Sequence, residues 1–297
     1  MATSPARSAA RSLYAALPFK QPLFQLVRRL VPPLPERLYR HLHFKGVITV
    51  DISPAERFRI RHHGYMIENE LFWRGLSGWE KISMELWIRL CRRSKVILDI
   101  GANTGVYALA AKAVNPGAEV IAVEPVARIY DKLVDNIGLN EGTVKAVHAA
   151  ATSHTGTVVL YDQPQSEHVL SVSLNPEWNK ESPALRPVEV PAYTVADLLA
   201  KHGNTFVDLL KIDVETHEAE VLRGFREILL RDKPAMLIEL LNGQVAAEVG
   251  TLLEGLGYEY YNIDDVSWPP ARANVLAQSG HFNFLVCQPA TARAIGL

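Results

Sequence analysis

The residues best able to do chemistry fall at the ends of apolar runs. The stretch VILDIGANTG, residues 96–105, carries Val96, Ile97 and Leu98 to Asp99, then to a Gly101-x-Asn103-x-Gly105 turn and a helical pattern from Val106. An unbroken β-branched run of this kind predicts a buried parallel strand. Glycines just past its end let the chain turn sharply and let a ligand lie against the backbone. A second run, EVIAVEP (119–125), closes on Glu124 and Pro125. A third, LLKIDVETHEAEVLRGF (209–225), brings Asp213, Glu215 and His217 ahead of another helical pattern, and a fourth ends at Glu239. In an open α/β sheet, ligands bind outside the carboxyl ends of the strands near the point where strand order reverses. Asp99, Glu124, Asp213 and Glu239 are therefore expected around one cleft.

The glycine turn discriminates between nucleotide-type ligands. The dinucleotide fingerprint G-x-G-x-x-G needs a second glycine where the backbone meets a pyrophosphate and a third where helix packs on strand. Here those positions hold Asn103 and Val106, and no G-x-x-x-x-G-K-[ST] phosphate loop occurs. S-adenosylmethionine carries no phosphate but has an amino acid end, a ribose diol and an adenine. The turn can meet the amino acid end with backbone groups, while Glu124 accepts from both ribose hydroxyls in charge-assisted hydrogen bonds. A nicotinamide cofactor would also want an acid about 20 residues on, so Glu124 alone does not decide; the turn does. Asp99 is expected to orient the turn or receive the ligand's ammonium.

These groups need a scaffold. From residue 96 onward, short apolar runs alternate with helical patterns, which predicts an α/β fold with a largely parallel sheet and helices on both faces. Strands are expected at 96–100, 119–123, 144–148, 206–212, 235–241, 258–263 and 282–288. Pro269 and Pro270 interrupt the last connection, so the final strand is expected to be antiparallel, completing seven strands. Helices are expected at 126–139, 195–202 (capped by Thr194) and 217–231, with Asn136 and Asn140 ending the first. TVVLYD (157–162) predicts an additional strand. Residues 163–187, rich in Pro, Ser, Asn and Glu, form a long connection of the kind that is functional or disordered, the best candidate for an acceptor-binding lid. Trp178 within it could stack on a sugar face, although packing is the safer expectation. Residues 47–95 predict a cap region: a hairpin from 47–52 and 57–61, then a helix over 78–91 leading into the first core strand.

Composition sets outer limits. A chain of 297 residues, 48% apolar, can bury one sizeable core. A formal charge of −1 gives no support for a nucleic-acid partner. Two distant cysteines, Cys91 and Cys287, suggest neither a disulfide framework nor structural zinc and fit a reducing cytoplasm. Asp213 and Glu239 alone are too common a pairing to indicate a metal, so none is expected. Residues 1–46 form a basic extension in which Arg7, Arg11, Lys20, Arg28, Arg29, Arg37, Arg40 and Lys45 face the single acid Glu36. A solvated, partly flexible extension is the expectation, with peripheral contact at the inner face of a membrane as the alternative. Proline interrupts this segment and no cleavage site follows an apolar core, unlike a secretory signal.

Taken together, VILDIGANTG, AVEP, and KIDVETHEAEVLRG followed by MLIEL resemble the FkbM family of S-adenosylmethionine-dependent methyltransferases over roughly residues 95–241, with ENELFWRGLSGWE (68–80) similar upstream. The resemblance implies a class I methyltransferase fold, Rossmann-like, and O-methylation of a hydroxyl on a sugar or glycan, a glycolipid or a polyketide-like acceptor. Asp99, Gly101, Asn103 and Gly105, with Ala102 among them, match the cofactor loop. Glu124 matches the ribose acid, with Pro125 beside it, and Asp213, Glu215, His217 and Glu218 match a D-x-E-G-H-E signature. Thr216 stands where that signature usually has glycine. Threonine does not easily take a positive φ, so either the local turn differs or the glycine is not needed for its dihedral.

Methyl transfer to oxygen is an in-line displacement at a sulfonium, and a base within hydrogen-bond reach should take the hydroxyl proton. His217, or Asp213 with His217, is the expected base, with Glu215 orienting the pair or the acceptor. A second-sphere or capping role for His217 is an equal alternative, and Glu218 is expected to be a first-turn acid complementing its helix. Glu80, after Trp79, could reach the cofactor's amino group from the cap. Two other readings stay open: a nicotinamide-dependent oxidoreductase on a similar sheet, and a non-catalytic S-adenosylmethionine-binding protein.

Overall fold

The computed structural model describes residues 18–31, 33–162 and 186–297. Strands β1 (Gly46–Asp51) and β2 (Arg57–His62) form an antiparallel hairpin. Then come β3 (Val96–Ile100), β4 (Glu119–Glu124) and β5 (Val144–His148), followed by β6 (Ala150–Ala151), β7 (Gly156–Asp162) and β8 (Arg186–Tyr193) in a small separate sheet. The chain returns through β9 (Leu209–Ile212), β10 (Ala235–Glu239), β11 (Glu259–Ile263), β12 (Ala271–Ala273) and β13 (Asn283–Cys287).

The central sheet has the order β12-β11-β13-β10-β9-β3-β4-β5. Pairings from β10 through β9 and β3 to β5 are parallel, whereas β13 runs antiparallel to both β10 and β11. This is the expected α/β sheet with its reversed last strand. It gains an eighth member, short β12, beyond the seven expected, because residues 271–273 pair with Tyr260–Asn262 at the edge. All five residues of β3 are buried, as a strand covered on both faces requires. One face packs on helices Lys81–Cys91 and Val106–Val114, the other on helices Val195–Lys201, Glu218–Arg223 and Gly243–Leu253. The chain runs outward from β3 to β5 and then returns to the other side of β3. The order therefore reverses between β3 and β9, and that reversal places Gly101 beside Asp213.

Several elements depart from the pattern in the sequence. The helix expected over 217–231 is two, Glu218–Arg223 and Arg226–Asp232. The break is at Gly224, whose absent Cβ would lie 2.1 Å from the Thr152 carbonyl oxygen. Strand β8 hides behind Pro187 and Pro191, which read as strand breakers. They are tolerated because β6 pairs only with Ala192 and Tyr193, leaving the proline side unpaired. The connection expected at 163–187 overlaps β8 at its last two residues; positions 163–185, with Trp178, lie outside the described residues. Helix Met66–Arg74 went unread because it buries polar Glu68 and Asn69 along with Leu71, Phe72 and Trp73. The helix at Thr194 is capped as expected, its hydroxyl accepting from Asp197 N–H at 3.0 Å.

Asn136 and Asn140 do more than end a helix. Asn136 is fully buried within helix Ala127–Gly138. Its Oδ1 accepts from Arg61 N–H at 2.8 Å and its Nδ2 donates to the Thr104 carbonyl at 2.8 Å. Asn140 both accepts from and donates to the backbone of Arg59, at 2.7 and 2.8 Å. The two amides act as a surrogate strand along β2, and Asn136 ties the hairpin to the loop after β3. Asn136→Ala is expected to leave two buried backbone groups unpaired and cost about 2–4 kcal/mol. Denaturant unfolding checks this; an unchanged midpoint would contradict the tether.

Candidate active site

Above the carboxyl ends of β3, β4, β9 and β10 lies a cleft of about 520 Å³, a volume suited to a cofactor-sized ligand. Gly101, Asn103, Glu124, Pro125, Asp213, Glu215 and Glu239 line it from the sheet. Tyr65, Ile67, Trp79 and Glu80 line it from the N-terminal region, and Ala150, Ala151 and Leu160 from the small sheet.

The first loop is held from below. Gly101 and Ala102 N–H groups both donate to the Val123 carbonyl at 3.0 Å. Gly101 has φ +79°, and a Cβ there would sit 1.8 Å from the Asp213 carbonyl oxygen. No side chain fits that contact, so the β3 and β9 loops are locked together. Gly105 has φ +95°, and a Cβ there would press on Leu133 at 2.6 Å. Asn103 takes φ +51°, a conformation asparagine tolerates. Its N–H donates to Glu124 Oε2 at 3.0 Å while Val126 N–H donates to Oε1 at 2.9 Å. Each oxygen of Glu124 keeps further lone-pair capacity for a ligand. Burial pushes the Glu124 carboxyl up to about 7, against the pull of these two N–H donors.

A second group of charges lies at the sheet reversal. Lys211, at 6% exposure, donates to Asp213 Oδ2 at 2.8 Å and lies 4.7 Å from the centroid of the Tyr107 ring. The Tyr107 hydroxyl donates in turn to Glu80 Oε2 at 2.5 Å. Burial alone would lower the Lys211 ammonium, but Asp213, Glu80 and Asp99 together hold it above the usual lysine range. Burial would raise Asp213, and Lys211 holds it down instead. Glu239 goes the other way: burial, then the Asp213 charge and a hydrogen bond to that carboxylate, push it well above the usual carboxylate range. The two carboxyls are thus driven in opposite directions, Asp213 toward the carboxylate and Glu239 toward the acid. Lys211 was the missed residue. Its signal is a lysine inside the otherwise apolar strand LLKI, where a charge is tolerated only with a buried partner.

Not every expected residue reaches the cleft. Asp99 lies beneath the loop, where its Oδ2 accepts from Ala108 N–H at 2.9 Å; burial pushes its carboxyl up to about 6. It lies behind the turn rather than in the cleft lining, and Ala102 and Gly105 likewise shape the loop from outside the lining. Glu80 does reach the cleft. Helix Lys81–Cys91 is capped by Asp265, whose Oδ1 accepts from Ile82 and Ser83 N–H at 3.0 and 2.8 Å. Such a long-range cap has no local sequence signal. His217 is carried away from the cleft. Glu215 and Thr216 take φ +53° and +76°, and the turn they make sets His217 Nε2 2.9 Å from Thr152 Oγ1, beside a smaller hollow. Burial lowers the His217 imidazole below its ordinary range. Glu218 is the first-turn acid expected of helix Glu218–Arg223; it is fully buried there and accepts from Val214 and Thr216 N–H at 3.3 and 3.2 Å.

The family model for the methyltransferase FkbM domain matches residues 99–260, more than half of the chain. The chain belongs to the FkbM methyltransferase family. Among curated relatives, this FkbM-family chain is 28% identical over 206 residues to methyltransferase sdnD of Sordaria araneosa, covering 61% of this chain and 79% of that one. It is 25% identical over 181 residues to the hexuronic acid methyltransferase AglP of Haloferax volcanii, covering 61% and 70%. It is also 24% identical over 159 residues to the 31-O-demethyl-FK506 methyltransferase FkbM of Streptomyces tacrolimicus, covering 46% and 61%. Membership makes methyl transfer, not hydride transfer, the chemistry of this sheet.

Thr216 answers the question left by the signature: the turn does use the left-handed region. A β-branched residue there costs on the order of 1–3 kcal/mol, offset in part by the entropy that glycine loses on folding. Thr216→Gly is therefore expected to stabilise the protein by about 1 kcal/mol, raising the thermal midpoint by roughly 2–4 °C. A lower midpoint would contradict the strain.

Proposed function

We propose that this methyltransferase uses S-adenosylmethionine to methylate a hydroxyl of a polyhydroxylated acceptor: a sugar or glycan, a glycolipid or a polyketide-like molecule. The observation carrying the cofactor reading is the charge of the cleft. Glu80, Glu124, Asp213, Glu215 and Glu239 line it, and among the described residues no lysine, arginine or histidine does. Burial pushes Glu80, Glu124 and Glu239 up while Lys211 keeps Asp213 ionised; an acidic lining without a basic side chain still disfavours phosphates and suits a ligand bearing a sulfonium and an ammonium. When bound, S-adenosylmethionine supplies a methyl group on positively charged sulfur. Glu124 is the residue to hold the ribose diol, the Gly101–Gly105 loop the amino acid end, and Glu80 the ammonium. A hydroxyl acceptor is supported by the name of the relative that acts on 31-O-demethyl-FK506, and a sugar-type acceptor by the name of the relative that acts on a hexuronic acid.

Asp213 and Glu215 are the carboxylates available to the acceptor hydroxyl. Asp213, with Glu239 beside it, is the assigned proton acceptor; His217 holds the turn against Thr152. Orienting the oxygen in line with the methyl carbon supplies the larger share of the rate, and proton removal a further 10²–10⁴-fold, as an order of magnitude. No metal is invoked, and among the described residues no group of three or more His, Cys, Asp or Glu side chains is placed to hold one.

S-adenosylmethionine and S-adenosylhomocysteine should both raise the thermal midpoint and NAD should not; stabilisation by NAD alone would overturn the cofactor assignment. Because accepting from two hydroxyls requires an ionised carboxylate, cofactor affinity should fall as pH drops through about 7. Glu124→Gln should bind weakly at every pH and abolish that dependence. With methyl-labelled cofactor and a competent acceptor, Asp213→Asn should lose roughly a hundredfold or more in kcat, while His217→Ala should lose less than about tenfold. The reverse order would return the base assignment to His217.

A further inference from the structure

Helix Lys20–Leu30 has two apolar faces, and only one is used. Inward, Phe24 is buried among aromatic rings, 5.7 Å from Trp73 and 6.1 Å from Phe44 by ring centroids. Gln21 anchors the same face, donating to the Val47 carbonyl at 2.7 Å. Outward stands a second stripe, Phe19, Leu23, Leu26 and Leu30, at 79, 54, 52 and 73% exposure. Their 4-3-4 spacing keeps them within about one-sixth of the helix circumference. Val31 and Leu38 extend exposed apolar surface along the chain. A contiguous stripe of large exposed side chains on a firmly docked helix calls for a partner.

The charges around it indicate which. Arg29 falls on one flank of the stripe, about 90° from its centre at 100° per residue, and is exposed; Lys20, about 90° away on the other side, is half-buried toward the docked face. Arg37 and Arg40 follow, both exposed. Over residues 18–45 six lysines and arginines stand against the single acid Glu36, in a chain of net charge −1. Apolar side chains along one line with cations at their margins match the interfacial boundary of an anionic bilayer, where leucines enter the acyl edge and Lys and Arg heads reach the phosphates. No helix among the described residues is long and apolar enough to cross a membrane, so the contact would be peripheral.

We propose that helix Lys20–Leu30 is an interfacial helix that seats this enzyme reversibly on anionic lipid surfaces. The proposal does not depend on the cofactor or acceptor reading. Its test is co-sedimentation of the full chain with phosphatidylcholine vesicles, with and without phosphatidylglycerol. The chain should pellet with the anionic vesicles, less so as ionic strength rises. The triple variant Leu23→Glu, Leu26→Glu, Leu30→Glu should reduce binding roughly tenfold or more, with an unchanged thermal midpoint because these side chains are exposed. Arg29→Glu, Arg37→Glu, Arg40→Glu should weaken anionic binding alone. No pelleting with anionic vesicles, or a leucine variant that binds as well as wild type, would overturn the proposal. So would a dimer in solution that the leucine variant dissolves, which would assign the stripe to a second copy of this chain.

Discussion

Lys211 sits at the point where β3, β9 and helix Val106–Val114 meet, the one lysine or arginine buried among the described residues. Its ammonium is paired with Asp213, faces the Tyr107 ring and acts on Glu80 and Asp99. Without that cation, several carboxylates crowded into a low-dielectric crevice would mostly be driven neutral. With it, Asp213 is held down as a carboxylate while Glu239 beside it is pushed up. The sheet reversal supplies the location, and the buried ammonium lets a site of excess negative charge survive there.

The loops around this charge are interlocked rather than merely adjacent. The Gly101 α-carbon packs where the Asp213 carbonyl leaves no room for a side chain, so a shift of either loop moves the other. Glu218 gathers the N–H groups of Val214 and Thr216, and Asn136 ties the far end of the first loop, at Thr104, to β2. Glu124 bridges the first loop and the start of helix Ala127–Gly138. Preorganisation of this kind means ligand binding need not order the site, which is the structural condition for alignment of an in-line displacement.

Much of this was legible in the residues. The apolar runs marked seven of the eight strands of the central sheet to within a few positions because strands buried on both faces read as unbroken apolar runs, whereas the short edge strand β12 carries no such run. Glycine spacing and the acids at strand ends marked the cleft because the backbone demands them there. What stayed hidden depends on distant partners. Nothing near Glu80 shows that Asp265, 185 residues on, caps its helix. Asn136 looks like a helix terminator until β2 is laid against it. His217 follows the acids in sequence, yet two consecutive left-handed residues turn it toward Thr152, a change of direction no periodicity encodes.

A crystal structure of the chain with S-adenosylhomocysteine tests the central claim most directly. The account predicts the ribose hydroxyls within hydrogen-bond distance of both Glu124 oxygens, the amino acid end over Gly101, and the sulfur facing Asp213. A nucleoside seated elsewhere, or a Glu124 carboxylate turned out of the cleft in the complex, would contradict it.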